Sequence, residues 1–170
     1  PPVQCPQGYY SKGNSSNCTV CASGYICAKG SIEEAPADSI CPEGHYCPDT
    51  RTVFKCPAGT FSNITVATSN AACKNCTAGS YCPYQGTQNM EAAFGWRAGY
   101  YCLEGTVDYR YTPCPAGTYS TQAGLTNVTG CLECPAGQYC PSGSGQGGTA
   151  CPAGYYCPAG TGNACFVTKS

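Results

Sequence analysis

The sequence predicts a small disulfide-rich repeat fold, mostly irregular with short β-ribbons and little or no helix, extended as a rod-like array. Cysteine content, a shortage of aliphatic residues and a short recurring motif carry that expectation. Cysteine makes up 18 of the 170 residues, a density that marks a disulfide scaffold. Such a chain belongs in an oxidising compartment, because a reducing cytosol would leave its thiols open. Leu occurs only at Leu103, Leu125 and Leu132, and Met90 and Trp96 are each the sole residue of their kind. Ordering a chain costs about 1–2 kcal/mol per residue, more than so little aliphatic surface can offset. Crosslinks worth about 2–4 kcal/mol each are expected to supply the difference.

One motif recurs nine times, opening at Cys5, Cys21, Cys41, Cys56, Cys76, Trp96, Cys114, Cys134 and Cys151 (copies 1 to 9). Three residues after each start stands a glycine, and five after it an aromatic, Ile26 excepted. Cys-Pro-x-Gly is turn chemistry: Pro fixes φ near −65° and Gly permits positive φ. The aromatic that follows is a flat surface able to cover a disulfide. Short ribbons are expected at Thr60–Ser62 and Thr118–Thr121. Helix is not, since Gly and Pro interrupt the chain every few residues.

The copies group in threes, giving units over residues 5–55, 56–113 and 114–164, with 165–170 as a truncated further unit or a contact tail. The first copy of each trio continues with Ser (Ser11, Ser62, Ser120) and runs on to a Cys-x-x-Cys at Cys18/Cys21, Cys73/Cys76 or Cys131/Cys134. Second and third copies place a cysteine directly after the aromatic.

Cys114-Pro-Ala-Gly-Thr-Tyr-Ser, followed through Cys131 by Cys134-Pro-Ala-Gly-Gln-Tyr-Cys, resembles the ephrin-receptor-like cysteine-rich repeat, akin in style to TNF-receptor modules. The Cys56–Cys82 and Cys5–Cys27 segments resemble it too. This resemblance implies extracellular rods of small disulfide modules, of the kind found on protist and algal surfaces as well as in receptors, without catalytic residues. By analogy with such modules the first loop of each trio closes on itself: Cys5–Cys18, Cys56–Cys73 and Cys114–Cys131. The other cysteines interleave as Cys21–Cys41, Cys27–Cys47, Cys82–Cys102, Cys134–Cys151 and Cys140–Cys157. Cys76 and Cys165 are then left over, to join neighbouring subunits, each other, or chain outside this sequence.

Asn-x-Ser/Thr sequons stand at Asn14, Asn17, Asn63, Asn75 and Asn127. The expectation favours Asn14, Asn63 and Asn127 in first-copy loops, because Asn17 and Asn75 sit beside cysteines where crosslinking would hide them. Zinc is disfavoured: the Cys-x-x-Cys pairs are embedded in a cysteine repeat, and His45 is the only histidine. Catalysis finds no foothold, since any triad would rest on His45 alone. Glu33, Glu34 and Asp38 lack the dense acidic loop of a calcium site. No cofactor is expected beyond covalent glycans. Tyr109, Arg110 and Tyr111 lie outside the motif and could form a lateral contact, since Tyr is enriched at interfaces.

Charged residues are only 10% and the net charge is −1, so no basic patch suggests nucleic acid. No apolar run approaches the roughly 20 residues that span a bilayer. The Pro1-Pro2-Val3-Gln4 start does not resemble a signal peptide, which a secreted chain would have shed. These observations point to an extracellular, cell-surface structural glycoprotein that is not an enzyme, the subunit of a filament, appendage or coat that self-associates head to tail or laterally. The competing expectation is the stalk or ligand-binding ectodomain of a receptor or adhesin.

Overall fold

The computed structural model describes residues 2–90 and 97–163. Trp96, Cys165 and the 165–170 tail lie outside the described residues. The chain forms two compact units, Pro1–Asn75 with Tyr84–Ala92 and Cys76–Pro83 with Ala93–Ser170. The sequence trios are a period of the motif, whereas these two units are a property of packing.

Secondary structure is limited to ten two-residue strands, β1 (Tyr9–Tyr10), β2 (Thr19–Val20), β3 (His45–Tyr46), β4 (Phe54–Lys55), β5 (Thr60–Phe61), β6 (Lys74–Asn75), β7 (Thr118–Tyr119), β8 (Leu132–Glu133), β9 (Gln138–Tyr139) and β10 (Thr149–Ala150), with short 3₁₀ turns among the described residues. They form five antiparallel pairs, β1–β2, β3–β4, β5–β6, β7–β8 and β9–β10. In every pair the first strand carries a copy's aromatic and the second lies just before the next copy. In copies 2 and 6 single bridges, Tyr25 to Ile40 and Tyr100 to Pro113, take the place of a pair. The fold is thus a disulfide-rich, mostly irregular array of small β-hairpins. Strands form at Thr60–Phe61 and Thr118–Tyr119, within both expected ribbons, and three further pairs appear around Tyr9–Tyr10, His45–Tyr46 and Gln138–Tyr139.

Local geometry begins at the turn. Pro6 C=O accepts the Tyr9 N–H at 3.2 Å, and Pro115 C=O accepts the Thr118 N–H at 3.0 Å. The intervening glycines have φ of 87° at Gly8 and 88° at Gly117, as the third residue of a type II turn requires. This reversal brings a copy's first residue beside the one six positions later. Where both are cysteine they close a disulfide within the copy: Cys21–Cys27, Cys41–Cys47, Cys76–Cys82, Cys134–Cys140 and Cys151–Cys157. Their Cα atoms stand 5.9 to 6.5 Å apart, within disulfide reach.

The interleaved pairings Cys21–Cys41, Cys27–Cys47, Cys134–Cys151 and Cys140–Cys157 are therefore not formed. Nor is Cys82–Cys102: Cys82 pairs with Cys76, which is not left over, and Cys102 is a free, buried thiol. The physical reason is that the turn puts each copy's own two cysteines together, while the chain has already moved on before the next copy begins. Copy 6 opens with Trp96, so Cys102 has no cysteine at the matching position.

First copies solve the same geometry differently. Ser11, Ser62 and Ser120 occupy the place of the second cysteine. Ser62 and Ser120 are buried there, Ser120 bonded to the Gln122 backbone and the Ser62 hydroxyl without a partner. The opening cysteine reaches forward instead, giving Cys5–Cys18, Cys56–Cys73 and Cys114–Cys131 as the resemblance implied.

Successive copies are joined by backbone. Cys21 N–H donates to Gly8 C=O and Cys134 N–H to Gly117 C=O, at 3.1 and 2.9 Å. In the other direction Gly8 N–H donates to Cys27 C=O and Gly117 N–H to Cys140 C=O, at 2.9 and 2.8 Å. A second turn after each copy adds further rungs, such as Gly30 N–H to Cys5 C=O and Gly160 N–H to Cys134 C=O, both 2.8 Å. Every buried apolar residue among those described is a cysteine except Ala67. Disulfides thus fill the interior of each unit in place of aliphatic side chains.

Glycine is needed at the turn for a second reason. A Cβ built on Gly117 would lie 2.3 Å from Gly160 C=O oxygen, and one on Gly44 2.2 Å from that of Gly86. On Gly154 it would meet nothing within 4 Å among the described residues. Both Gly117 and Gly154 have positive φ, which costs an L-residue about 1–2 kcal/mol. Gly154→Ala is therefore expected to lose about 1 kcal/mol of stability. Gly117→Ala adds a backbone collision and is expected to lose about 3 kcal/mol or more. Thermal unfolding of the two variants side by side checks the difference.

Candidate assembly surface

Five sequon asparagines are exposed, including Asn17 and Asn75, which disulfide formation was expected to hide. Asn75 lies on β6, and Cys76 beside it turns inward to Cys82, so crosslinking leaves the asparagine outside. Asn14 has φ of 63° at the tip of the copy 1 loop. Asn127 caps the 3₁₀ turn Val128–Gly130, its Oδ1 accepting the Thr129 N–H at 2.9 Å and the Thr129 hydroxyl. That turn is held through the amide oxygen rather than through the nitrogen that carries a glycan.

All six cysteines of the Cys-x-x-Cys pairs are in disulfides, so they present no thiolates to a metal. No cluster of metal-ligating side chains occurs among the described residues. His45 Nδ1 lies 2.9 Å from Glu43 C=O; facing a carbonyl, that nitrogen carries the proton. Glu33, Glu34 and Asp38 are exposed loop residues. No helix of the described residues is long and apolar enough to cross a membrane.

Tyr109 turns inward. Its ring packs edge-on against Tyr100 with centroids 5.1 Å apart and against Tyr81 at 5.2 Å. The Arg97 guanidinium stands 5.9 Å from the same ring. Burial pushes the Tyr81 phenol above its ordinary range, with nearby Tyr109 adding to the effect. Asp108 caps the 3₁₀ turn Tyr109–Tyr111 and holds Arg110 in a forked ion pair at 2.5 and 2.9 Å. Tyr111, 81% exposed, and Arg110 face outward. The expected three-residue contact surface is thus divided, Tyr109 belonging to the packing and Tyr111 to the surface.

Stacking defines the remaining surface. The second-turn residues that follow a copy lie over the turn glycine two copies earlier. In the first unit Thr50, Val66 and Gly86 lie over Gly8, Gly24 and Gly44, and in the second Gly124, Gly143 and Gly160 over Gly79, Gly99 and Gly117. Gly137 and Gly154, in copies 8 and 9, are exposed and have nothing within 4 Å of a built Cβ among the described residues. Beside Gly154, Tyr155 and Tyr156 are 53% and 64% exposed. Sequence reading missed this register, although glycines at Gly30, Gly86, Gly124, Gly143 and Gly160, all at positive φ, were its visible trace.

No family model matches this chain, and comparison with curated proteins finds no match.

Two outcomes follow from these sites. Burial raises the Cys102 thiol above its ordinary range, so it is both shielded and less ionised. Alkylation of native protein should leave Cys102 unmodified, and denaturation without reductant should expose it, read by peptide mass. Asp49 accepts the Arg51 and Thr52 N–H groups, both at 2.7 Å, which lowers its pKa. Its contribution is thus present above the unfolded carboxyl pKa and lost as pH falls through the folded one. The stability gap between wild type and Asp49→Ala is expected to be full near neutrality and to shrink below about pH 4. Chemical denaturation across that range checks it.

Proposed function

We propose that this chain is an extracellular structural glycoprotein, the self-associating subunit of a surface filament, appendage or coat. The observation that carries the reading is the backbone register: identical turns stack with a fixed offset, and disulfides stand where other proteins have an aliphatic core. Such a design suits a long, narrow object, since each copy contacts only near neighbours and length adds no core requirement. Eight disulfides fit an oxidising compartment, and exposed sequons fit the cell surface. The resemblance to ephrin-receptor-like repeats points the same way.

In this reading the disulfides make each copy rigid and the backbone ladder carries cohesion from copy to copy. Six-residue bridges contribute about 2 kcal/mol each and the longer first-copy loops about 3, all inside copies. Glycans at Asn14, Asn63 and Asn127 keep the surface soluble. Catalysis has no part in this function.

Chain purified from a secreting, glycosylating host is expected to form large species in sedimentation at micromolar concentration. Glycosidase treatment in water enriched in heavy oxygen should mark occupied asparagines as heavy aspartate. A monomer at every concentration would overturn the structural reading in favour of a receptor stalk or ligand-binding ectodomain. Gels with and without reductant show whether Cys165 or Cys102 links chains.

A further inference from the structure

Resting on secretion through a glycosylating compartment, we propose that Asn75 is a glycosylation site that shuts when the Cys76–Cys82 bridge closes. Its glycan is attached before the bridge or not at all. Asn75-Cys76-Thr77 is a sequon with a cysteine in the middle, as Asn17-Cys18-Thr19 is. Every other sequon shows its middle residue to solvent: Ile64 is 47% exposed and Val128 44%, and Ser15 and Cys18 are exposed too. Cys76 is fully buried, so this sequon alone has its centre drawn into the interior.

A transferring enzyme must lift a sequon clear of the surface and enclose its Asn and Thr together. In the folded chain this segment is held along its length. Asn75 pairs with Thr60 in the β5–β6 hairpin. Cys76 is bonded to Cys82, and its C=O accepts the Gly105 N–H at 2.8 Å. Thr77 C=O accepts the Ser80 N–H at 3.1 Å. Lifting residues 75–77 would break these bonds and uncover a buried disulfide, which places it among the rarest openings of a native chain. The reverse order has no such obstacle. Asn75 is exposed, and successive side chains of a strand point to opposite faces, so a glycan leaves the surface while Cys76 turns in to Cys82.

Two reactions therefore compete. Transfer joins the sugar of a diphosphate-linked donor to Asn75 Nδ2, which loses a proton as the diphosphate leaves with the bond electrons. Closure takes two electrons and two protons from the Cys76 and Cys82 thiols and passes them to a disulfide oxidant of the compartment. Cys82 follows Cys76 by six residues, a delay of about 0.3–1 s at the usual rate of synthesis. The bridge then takes seconds or longer to form. Asn75 is filled in those chains where transfer comes first, giving two glycoforms whose ratio follows the oxidising strength of the compartment. Asn63 and Asn127 stand in sequons without cysteine and are outside this competition.

The test reads Asn75 occupancy by the heavy-oxygen label and peptide mass, in a secreting, glycosylating host with and without a membrane-permeant thiol reductant during synthesis. Wild type is compared with Cys76→Ser/Cys82→Ser, which keeps a sequon and has no bridge to close. Total cell protein is analysed, so a variant that fails to fold still reports. Wild-type Asn75 should be filled in a minority of chains and rise about threefold when reductant delays closure. The variant should stand at the higher level with or without reductant, and Asn63 and Asn127 should not change in either protein. Wild-type Asn75 filled to the same extent under both conditions, whether empty or full, overturns the proposal; glycans at Asn63 and Asn127 then leave the glycoprotein reading standing. A variant that responds to reductant as wild type does also overturns it, because the response then comes from another bridge. No glycan at any of the five asparagines overturns both readings.

Discussion

Over Gly44, Gly99 and Gly117 a second-turn carbonyl from two copies further on leaves no room for a side chain, and the stacking of copies depends on that approach. A Cβ on Gly44, Gly99 or Gly117 would come within 2.2 to 2.4 Å of a neighbouring carbonyl oxygen, far inside van der Waals contact. Because the glycine is also the positive-φ residue of its own turn, one atom's absence satisfies two requirements at once. The turn sets the hairpin, the hairpin sets which cysteines meet, and the close approach sets how copies follow one another. Val66 shows the tolerance of the scheme: it keeps the positive φ of the glycines that occupy this place elsewhere and lays its side chain on Gly24.

Covalent and hydrogen-bonded cohesion divide the work by direction. Each disulfide closes within one copy or within a first copy's own loop, so none ties one copy to the next. Across copies the chain relies on backbone N–H and C=O groups, which must be paired wherever they are buried. Disulfides thus replace the apolar core, while the ladder replaces the sheet that such short strands cannot make. Interleaved bridges would have fused neighbouring copies covalently; the bridges among the described residues instead close the copies that hold them.

Sequence periodicity disclosed the copies, the turns and the Cys5–Cys18 type of bridge, since all three depend on residues close in the chain. It also placed ribbons at Thr60 and Thr118, where threonine and an aromatic favour strand. The wrong pairings share one cause: family analogy outweighed a signal present in the sequence, the constant six-residue spacing of cysteines in second and third copies. Ser at that same position in first copies marks where the local bridge is absent and the longer one must form. Tyr109 could not be assigned from sequence, because it lies outside the motif and one of its partners, Tyr81, comes from the preceding copy and meets it only once the copies stack.

By itself the sequence determined the class of fold and the position of the first turn of each copy, because these follow from composition and from residues a few positions apart. Tertiary structure alone decided which thiol is left over and which glycines are covered. Cys102 is free because a tryptophan begins its copy, yet it is shielded because the stacking buries it. Gly117 and Gly137 sit in the same motif, yet Gly117 is buried beneath Gly160 and Gly137 is exposed. Contacts between distant copies set these differences, and no local pattern records them.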